Sequence, residues 1–432
     1  MLMLATTTAA GDVILQKKTD ILIIGAGAVG VCSAYYLNKL GMDVVVVEKN
    51  SIGSGSSYGN AGLIVPSHSV PLAAPGVIAK GLKWMFDPES PFYIKPRFSF
   101  DLISWLLKFS RACNAHRMHQ AIPVIRDLNI KSLELFDRLG SDDNLDFFFQ
   151  KKGLLALYKS KTGFKEGGEE VRLLKKHGLD VEILTVDEIR EFIPHLRTTA
   201  VGGAFYRQDA HLDPFEFIKK LSGAVLKKGV AIHTATEVLD FETVGRKLIA
   251  VHTTRGEIEA ETIVLAGGAW SPGITENLKI NLPIQPAKGY SLTYRKPSFC
   301  PEVPIALAEA KVILTPMGDT MRFAGTLELA GHDLSINMRR VRAIIKNISS
   351  FLPEVDPHSL PLVEIWRGLR PCTPDGLPII GRCQHYDNLI VAAGHGMLGI
   401  SLSPVTGKLV SQLTAGEEPV MDITALSPKR FG

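Results

Sequence analysis

Two segments near opposite ends of the chain share one pattern, in which a short apolar run leads into closely spaced glycines. In the first, "ILII" (residues 21–24) is followed by "GAGAVGVCSAYYL", and "MDVVVVE" comes next at residues 42–48. Such an apolar run is typical of a strand buried on both faces, and glycines at its end indicate a turn into a helix. Gly41 stands where that helix is expected to end. The pattern predicts a strand, a helix and a second strand over residues 19–48.

The following segments favour helices. Residues 66–107 are apolar but contain six prolines, so a single helix is excluded and we expect irregular turns and short helices, which could form a hydrophobic surface. Residues 121–140 have helical spacing, closed by Gly140.

Two other segments predict pairs of antiparallel strands. Residues 145–160 would turn at Lys151–Gly153, and residues 311–329 would turn at Gly318–Asp319. These strands would belong to a sheet that roofs a substrate pocket. Residues 231–268 also predict strands, including a β-meander, that rejoin the first sheet.

Composition narrows the class of protein. With 432 residues and 46% hydrophobic content, the chain can bury a large core in two or three domains. The net charge of +4, with no basic run interleaved with aromatic residues, argues against nucleic acid as a partner. Five cysteines without a CxxC pair suggest neither a disulfide framework nor a zinc site. No signal-like N-terminus or run of 18 apolar residues is evident, so we expect a cytoplasmic protein, which could lie on the inner face of the cell membrane.

The first glycine turn has the GxGxxG spacing of a dinucleotide site. Gly25 would permit the tight turn, Gly27 would let the backbone approach a pyrophosphate, and Gly30 would let the helix pack on the strand. The N–H groups and positive dipole at the start of that helix would face the phosphates. Glu48, at the end of the second strand, is in place to accept hydrogen bonds from a ribose diol. An acidic residue there fits NAD and FAD equally.

The second glycine turn favours a long cofactor. In "NLIVAAGHGMLGISLSPVTGKLV", a buried strand, a turn at Gly394, Gly396 and Gly399, and a helix occur more than 350 residues after the first turn. A simple NAD-binding half-domain does not need this second turn. The Gly- and Ser-rich loop at residues 49–64 could run along a pyrophosphate and ribityl chain, although by itself it reads equally well as a surface linker.

Six motifs occur in the order seen in the D-amino acid oxidase-like flavoproteins. They are GAGAVG, GSSYGNAG, RQDAHLDP, VLAGGAWSP, GLRPCTPDGLPIIG and AAGHGMLGI, and the sequence resembles most the bacterial D-amino acid dehydrogenase branch. The resemblance implies non-covalent FAD and an α/β fold, in which a Rossmann-like FAD-binding domain is interleaved with an antiparallel-sheet substrate domain. The expected FAD-binding domain comprises residues 19–95, 200–280 and 364–432, the substrate-binding domain residues 96–199 and 281–363, and the N-terminal tail residues 1–18.

Three residues are the candidates for catalysis. Arg370 matches the arginine that binds the substrate carboxylate in the resembled family, and a guanidinium gives a planar, bidentate match to a carboxylate. A structural ion pair is its alternative role, and Arg367 is the second candidate for the carboxylate. His395 could add a hydrogen-bond donor near the flavin, or be satisfied by the backbone of its turn. Tyr290 could line the pocket, or pack in the core.

The residues expected to contact FAD lie on both glycine turns and on the loops between them. They are Gly25, Gly27, Ala28, Val29, Gly30, Glu48, Lys49, Ser56, Ser57, Gly62, Leu63, Val238, Ala266, Gly267, Trp270, Gly394, Gly396, Met397 and Gly399. We expect no metal site, because the histidines show no ligand spacing. Cys372 is expected to be a buried free thiol, not a covalent flavin attachment.

The function implied by the resemblance is oxidative deamination of D-amino acids. Hydride would pass from the α-carbon to flavin N5, the imino acid would be hydrolysed to a keto acid, and a quinone or respiratory carrier would take the electrons. The alternatives are an O₂-using oxidase of glycine, sarcosine or proline-type amines, and an FAD-holding subunit of a hetero-oligomer. The expected partners are the amino acid, the electron acceptor, a peripheral membrane contact and further subunits of an oligomer.

Overall fold

The computed structural model describes residues 15, 17–85, 90–142 and 144–431. The strands are β1 (Lys18–Ile24), β2 (Val44–Val47), β3 (Leu63–Ile64), β4 (Phe92–Ile94), β5 (Leu154–Tyr158), β6 (Val181–Leu184), β7 (Gly202–Tyr206), β8 (Ala210–His211), β9 (Ala231–His233), β10 (Val238–Val244), β11 (Lys247–Thr253), β12 (Gly256–Leu265), β13 (Gln285–Arg295), β14 (Ile305–Leu307), β15 (Val312–Met317), β16 (Thr320–Leu329), β17 (Leu362–Cys372), β18 (Ile379–Arg382) and β19 (Leu389–Ala393). The α-helices are α1 (Ala28–Lys39), α2 (Val77–Met85), α3 (Phe100–Ala112), α4 (Ala115–Asp142), α5 (Lys161–Lys176), α6 (Val186–Phe192), α7 (Pro214–Lys227), α8 (Ser271–Ile274), α9 (Met338–Phe351) and α10 (Ser403–Ala415).

The first large sheet carries the two glycine turns. Its strand order is β10-β11-β12-β1-β2-β9, with β19 beside β12 and β18 beside β19. The pairs β1–β12, β1–β2, β2–β9 and β12–β19 are parallel, and the meander β10–β11–β12 is antiparallel. Every residue of β2 and β19 is buried, as expected of strands covered on both faces. The predicted strand, helix and strand over residues 19–48 and the predicted meander are confirmed.

The second large sheet has the order β17-β13-β16-β15-β14-β5-β7-β6, with β4 beside β16. Most of its pairs are antiparallel, and the predicted hairpin at Gly318–Asp319 is confirmed by the pairing of Met317 with Thr320. The predicted pairing within residues 145–160 is wrong, because β5 pairs with β7 and β14. The aromatic rings at residues 147 and 149 pack instead with Phe136 in the core of the other part of the molecule.

The helices differ from the sequence expectation in one place. Helix α4 begins at Ala115 and continues past Gly140 to Asp142, with Pro123 inside it, so the predicted end at Gly140 is wrong. An added Cβ at Gly140 would meet no atom within 4 Å, and this glycine shows no need for a special turn. The short helices and irregular turns predicted for residues 66–107 are confirmed for the described part, which omits residues 86–89.

Strand pairing amends the predicted domain ranges. The short strand β4 and the strands β7 and β17 were expected with the nucleotide sheet, but all three pair within the second sheet. Helix α4 was expected in the substrate domain, yet its Phe136 and Leu139 lie in the core formed with α1 and α7. The expected tail at residues 1–18 lies largely outside the described residues, and Lys18 is already part of β1. The chain crosses between the two sheets more often than the sequence indicates.

Candidate active site

The start of helix α1 forms an open, positively polarised end. Gly27 supplies no side-chain cap, and no acidic residue stands in the first turn of this fully described helix. The Ala28 N–H donates to Ser57 Oγ at 3.1 Å. An added Cβ at Gly30 would lie under 3.0 Å from the Gly25 carbonyl oxygen, so the close packing of α1 against the turn requires a glycine there. These features suit the binding of phosphate groups.

The Glu48 carboxylate is fixed beside the glycine turn. Oε2 accepts from the Ala26 N–H and Oε1 from the Asn50 N–H, both at 2.9 Å. A carboxylate has about four lone-pair sites, so two of them stay available for ribose hydroxyl groups. The Thr236 N–H donates to the Glu48 carbonyl at 2.9 Å, which brings the chain just before Val238 to the same place.

Arg322, which the sequence analysis did not single out, anchors the Gly- and Ser-rich loop. Its Nη1 donates to the carbonyl oxygens of Tyr58 and Asn60 at 3.1 and 2.8 Å, and its Nε donates to Thr293 Oγ1 at 3.0 Å. The surface-linker interpretation of residues 49–64 is therefore wrong, since the loop is held against the second sheet. In the sequence, the signal for Arg322 is a charged residue inside a mostly apolar strand, β16. The sequence does not indicate which groups this arginine bonds.

Residues from distant motifs meet beside Glu48. The Ala266 N–H donates to the Ile24 carbonyl at 2.9 Å, so the chain at Ala266 and Gly267 adjoins the first glycine turn. Lys49 Nζ lies 4.2 Å from the centre of the Trp270 ring. The structure thus brings together residues that the sequence analysis had selected separately from three motifs.

The second glycine turn is tied to strand β17. The Gly396 N–H donates to the Pro371 carbonyl at 2.8 Å, and Cys372 and His395 form an antiparallel bridge. Gly396 has nothing within 4 Å of an added Cβ, and Met397 is exposed. The turn therefore presents an open side directly next to the strand that carries Arg370.

The His395 side chain is bonded to helix α10. Thr406 Oγ1 donates its hydrogen to the Leu402 carbonyl, so it accepts from His395 Nε2 at 2.9 Å. Burial lowers the pKa of His395 to about 4, which favours the neutral ring. The role of His395 as a hydrogen-bond donor near the flavin stays a prediction.

Arg370 is a largely desolvated cation without a carboxylate partner in the part of the chain that the structure describes. Its Nη1 donates to the Thr326 carbonyl at 2.7 Å. An added Cβ at Gly289 would lie under 3.0 Å from Nη1, Cζ and Nη2 alike, so the guanidinium lies flat on this glycine. Burial lowers the pKa of Arg370 from its ordinary value. The alternative role in a structural ion pair is not supported.

Tyr290 lies on the other face of the same sheet. In the β13–β17 ladder, Tyr290 stands opposite Arg367, whereas Arg370 stands opposite Ala287. Directly opposed residues point to the same face, and successive residues alternate, so Tyr290 and Arg367 both point away from Arg370. The Tyr290 hydroxyl is bonded to Glu328 Oε2 at 3.0 Å, and its side chain is 1% exposed. Tyr290 lies in the core of the second sheet, which favours its packing alternative, and its pocket role stays a prediction. Arg367 points to the face opposite Arg370.

The sequence relatives of the chain identify its family. The family model for FAD dependent oxidoreductases matches residues 20–413. The chain is 32% identical over 398 residues to D-amino acid dehydrogenase from Helicobacter pylori strain J99, covering 92% of this chain and 95% of that protein. It is also 32% identical over 419 residues to D-amino acid dehydrogenase from Granulibacter bethesdensis, covering 95% and 99%. The chain belongs to the FAD-dependent oxidoreductase family.

Solved structures confirm the predicted fold of this oxidoreductase. Glycine oxidase from Geobacillus kaustophilus superposes with a TM-score of 0.79 at 24% sequence identity, covering 96% of this chain and 99% of the other. L-proline dehydrogenase from P. horikoshii superposes with a TM-score of 0.74 at 22% identity, covering 96% and 98%. Below 25% identity, these likenesses establish the architecture alone.

FAD is the cofactor of this oxidoreductase, which decides between the two dinucleotides that the first turn allowed. The donor groups of α1, the carboxylate of Glu48 and the open side of Gly396 fit a long dinucleotide that reaches both turns.

Cys372 is confirmed as a buried free thiol, and burial raises its pKa to about 11. Within the described chain, ligand atoms of Glu242, His252 and Glu257 lie within 4.8 Å of one another on the meander, but such exposed groups are common without an ion. The absence of a metal site stays a prediction.

Proposed function

We propose that this FAD-dependent oxidoreductase removes hydride from the α-carbon of D-amino acids and passes the electrons to a quinone or respiratory acceptor. Two curated relatives at 32% identity over more than nine-tenths of the chain are named D-amino acid dehydrogenase. The observation that carries the proposal is Arg370, a half-buried guanidinium without an acidic partner among the described residues, beside the open second turn.

Arg370 would bind the substrate carboxylate through the edge of its guanidinium that does not contact Thr326. Gly289 beneath it leaves room for the flat guanidinium, and the Thr326 carbonyl fixes its rotation. A guanidinium held in one orientation fixes the bound carboxylate and so orients the substrate α-carbon. Such orientation is the main contribution a protein makes to hydride transfer. The positive charge also disfavours a second cation nearby, and so favours the neutral amine that hydride loss requires.

Bound FAD supplies the hydride acceptor at flavin N5. The residues proposed to hold FAD are those expected from the sequence, together with Arg322 as the anchor of the loop at residues 49–64. The N–H groups of the turn at residues 394–399 would face the flavin ring, and α1 would face the phosphates. The resulting imino acid is hydrolysed by water to a keto acid and ammonia. We also propose that the chain forms two interleaved domains. The strands β4, β7 and β17 then belong to the substrate-binding domain, and helix α4 belongs to the FAD-binding domain.

An exposed apolar strip supports a peripheral membrane contact, from which a quinone would be reached. Phe98 and Phe100 are 83% and 76% exposed, and Ile103 and Leu107 continue the strip along α3. Arg111 follows Leu107 by one helical turn and adds a positive charge to the same face. An apolar strip flanked by basic residues is typical of helices that lie on anionic membranes. In the described chain no helix has the length and apolar character needed to cross a bilayer.

Anaerobic reduction followed by controlled reoxidation tests the proposed function. The flavin should bleach with D-amino acids and not with their L-enantiomers, and a soluble quinone should reoxidise it faster than air. Rapid reoxidation by O₂ with peroxide release would instead favour an oxidase. A flavin-loaded chain that no amino acid bleaches would favour an accessory subunit.

A further inference from the structure

The indole of Trp366 lies between two glycines from distant parts of the chain. A Cβ added at Gly368, two residues further along β17, would lie under 3.0 Å from three atoms of its six-membered ring. A Cβ added at Gly59, in the loop at residues 49–64, would lie under 3.0 Å from the other three atoms of that ring. Trp366 therefore forms a direct contact between strand β17 and the loop that is proposed to hold FAD.

Gly368 also adjoins the guanidinium of Arg370. In the β13–β17 ladder, Gly368 stands directly opposite Gly289, the glycine on which that guanidinium lies flat. Directly opposed residues share a face of the sheet, and their Cβ positions are about 4.5–5.5 Å apart. The indole and the guanidinium thus lie side by side on one face, each on one glycine of the pair, and both side chains are half-buried.

The loop on the other side of the indole is fixed as well. Arg322 Nη1 donates to the carbonyl oxygens of Tyr58 and Asn60, which flank Gly59. Close-packed groups with no free space transmit a displacement to their neighbours. Because Gly59 is held in this way, a shift of the loop would push the indole of Trp366 against β17.

Hydride transfer depends on how the α-carbon is placed against the flavin, and a misplacement of about 1 Å costs about 10²-fold in rate. Arg370 would place the substrate from β17, whereas the loop would place FAD. We propose that Trp366 is a positioning residue, which sets the position of the Arg370 guanidinium relative to the flavin. The inference rests on the proposed function, since it needs a substrate carboxylate bound by Arg370.

Two variants and one control test the proposal on the flavin-loaded enzyme without oxygen. Trp366→Leu removes the indole, and Gly59→Ala pushes on it from the loop. Gly202→Ala on β7 is the matched control, because a Cβ there would lie as close to the ring of Phe164, in another part of the same sheet.

Three measurements separate positioning from binding and from a general loss of structure. The first is the rate of flavin bleaching at saturating D-alanine. The second is the Kd for propionate, which has the carboxylate of alanine without its amine, followed by the flavin absorbance spectrum. The third is the rate of flavin reduction by dithionite, which needs no substrate alignment.

Trp366→Leu and Gly59→Ala should each lower the bleaching rate with D-alanine about 10- to 100-fold. The Kd for propionate and the rate with dithionite should stay within a few-fold of the wild type, and Gly202→Ala should bleach at the wild-type rate. Because Gly59 acts through the indole, Gly59→Ala should lower the rate little further in the Trp366→Leu background.

Independent, multiplying losses in the double variant, or a wild-type bleaching rate in Trp366→Leu, would overturn the inference. A weakened propionate affinity with an unchanged bleaching rate would also overturn it, because Trp366 would then be a substrate contact. Failure of the proposed function would look different: D-alanine would not bleach the wild-type flavin, or Arg370→Leu would bind propionate as tightly as the wild type.

Discussion

The Arg370 guanidinium lies flat on the backbone of Gly289, one strand away. A Cβ at residue 289 would lie under 3.0 Å from three guanidinium atoms at once, a distance that real Cβ atoms essentially never show. The pair occupies the face of the second sheet opposite to Tyr290, and Pro371, next to Arg370, accepts from the Gly396 N–H of the second turn. Gly289 thus acts as a positioning residue for the proposed carboxylate clamp.

Replacing Gly289 with Ala should displace the guanidinium without disturbing the FAD site. We expect a yellow protein whose kcat/KM for a D-amino acid falls about 10²-fold or more, because a misplacement of about 1 Å costs that much in orientation. The loss should be smaller for an amine without a carboxylate. Gly140→Ala is the matched control, since an added Cβ there meets nothing within 4 Å. Equal losses for both substrates would contradict the positioning role.

Removing the charge at residue 370 should have the larger effect. Arg370→Leu is expected to retain FAD and lose about 10²- to 10⁴-fold in kcat/KM, because a charge-assisted bond contributes about 1.5–3 kcal/mol and alignment is lost with it. Arg370→Lys should recover little of the lost kcat/KM, since an ammonium cannot form the two parallel hydrogen bonds of a planar guanidinium. Arg367→Leu, on the opposite face, should remain close to the wild type in steady-state kinetics. A strong defect in Arg367→Leu would mean that the carboxylate partner has been misassigned.

The Glu48 carboxylate is expected to contribute to FAD affinity. Glu48→Ala removes a charged acceptor for a ribose hydroxyl and frees the Ala26 and Asn50 N–H groups, so FAD binding should weaken by about 1.5–3 kcal/mol. Titration of apoprotein with FAD measures this loss. Asp20→Ala is the control, because Asp20 Oδ2 accepts from the Asp43 N–H elsewhere along the same two strands. Full flavin occupancy of dilute Glu48→Ala protein would argue against the assignment.

Asp209 should make the free energy of unfolding depend on pH. It is 1% exposed, accepts from the N–H and hydroxyl of Ser67, and burial raises its pKa from 3.8 to about 7. A raised carboxyl pKa gives stability that is complete below pH 3.8 and is lost as the pH rises to about 7. The loss corresponds to about 4 kcal/mol.

Asp209→Asn should remove this slope, because the amide keeps hydrogen bonds to Ser67 and does not ionise. Denaturant unfolding at pH 4, 5.5 and 7 measures it, with the exposed Asp180→Asn as the control. A wild-type slope that survives in Asp209→Asn would assign the pH dependence to other groups.

Local chemistry made much of the site predictable. The turns at Gly25–Gly30 and Gly394–Gly399 follow buried strands, and their spacing alone indicates where a backbone must approach a cofactor. Arg370 was identified from its motif and the geometry of a guanidinium. The aromatic residues around Phe147 misled the strand prediction, because their pattern is the same in a strand and in a loop whose rings reach another core.

By itself the sequence determined the elements and the chemistry available to them: the nucleotide turns, the acidic end of β2 and an arginine suited to a carboxylate. Only the tertiary structure decided which of these groups act together. Tyr290 and Arg370 both lie on strands of one sheet, yet register and alternation send their side chains to opposite faces. The contacts of Arg370 with Thr326 and Gly289 likewise depend on pairing between strands that are tens of residues apart. Periodicity along one strand fixes alternation, but only the packing of neighbouring strands and layers selects the face that becomes a site.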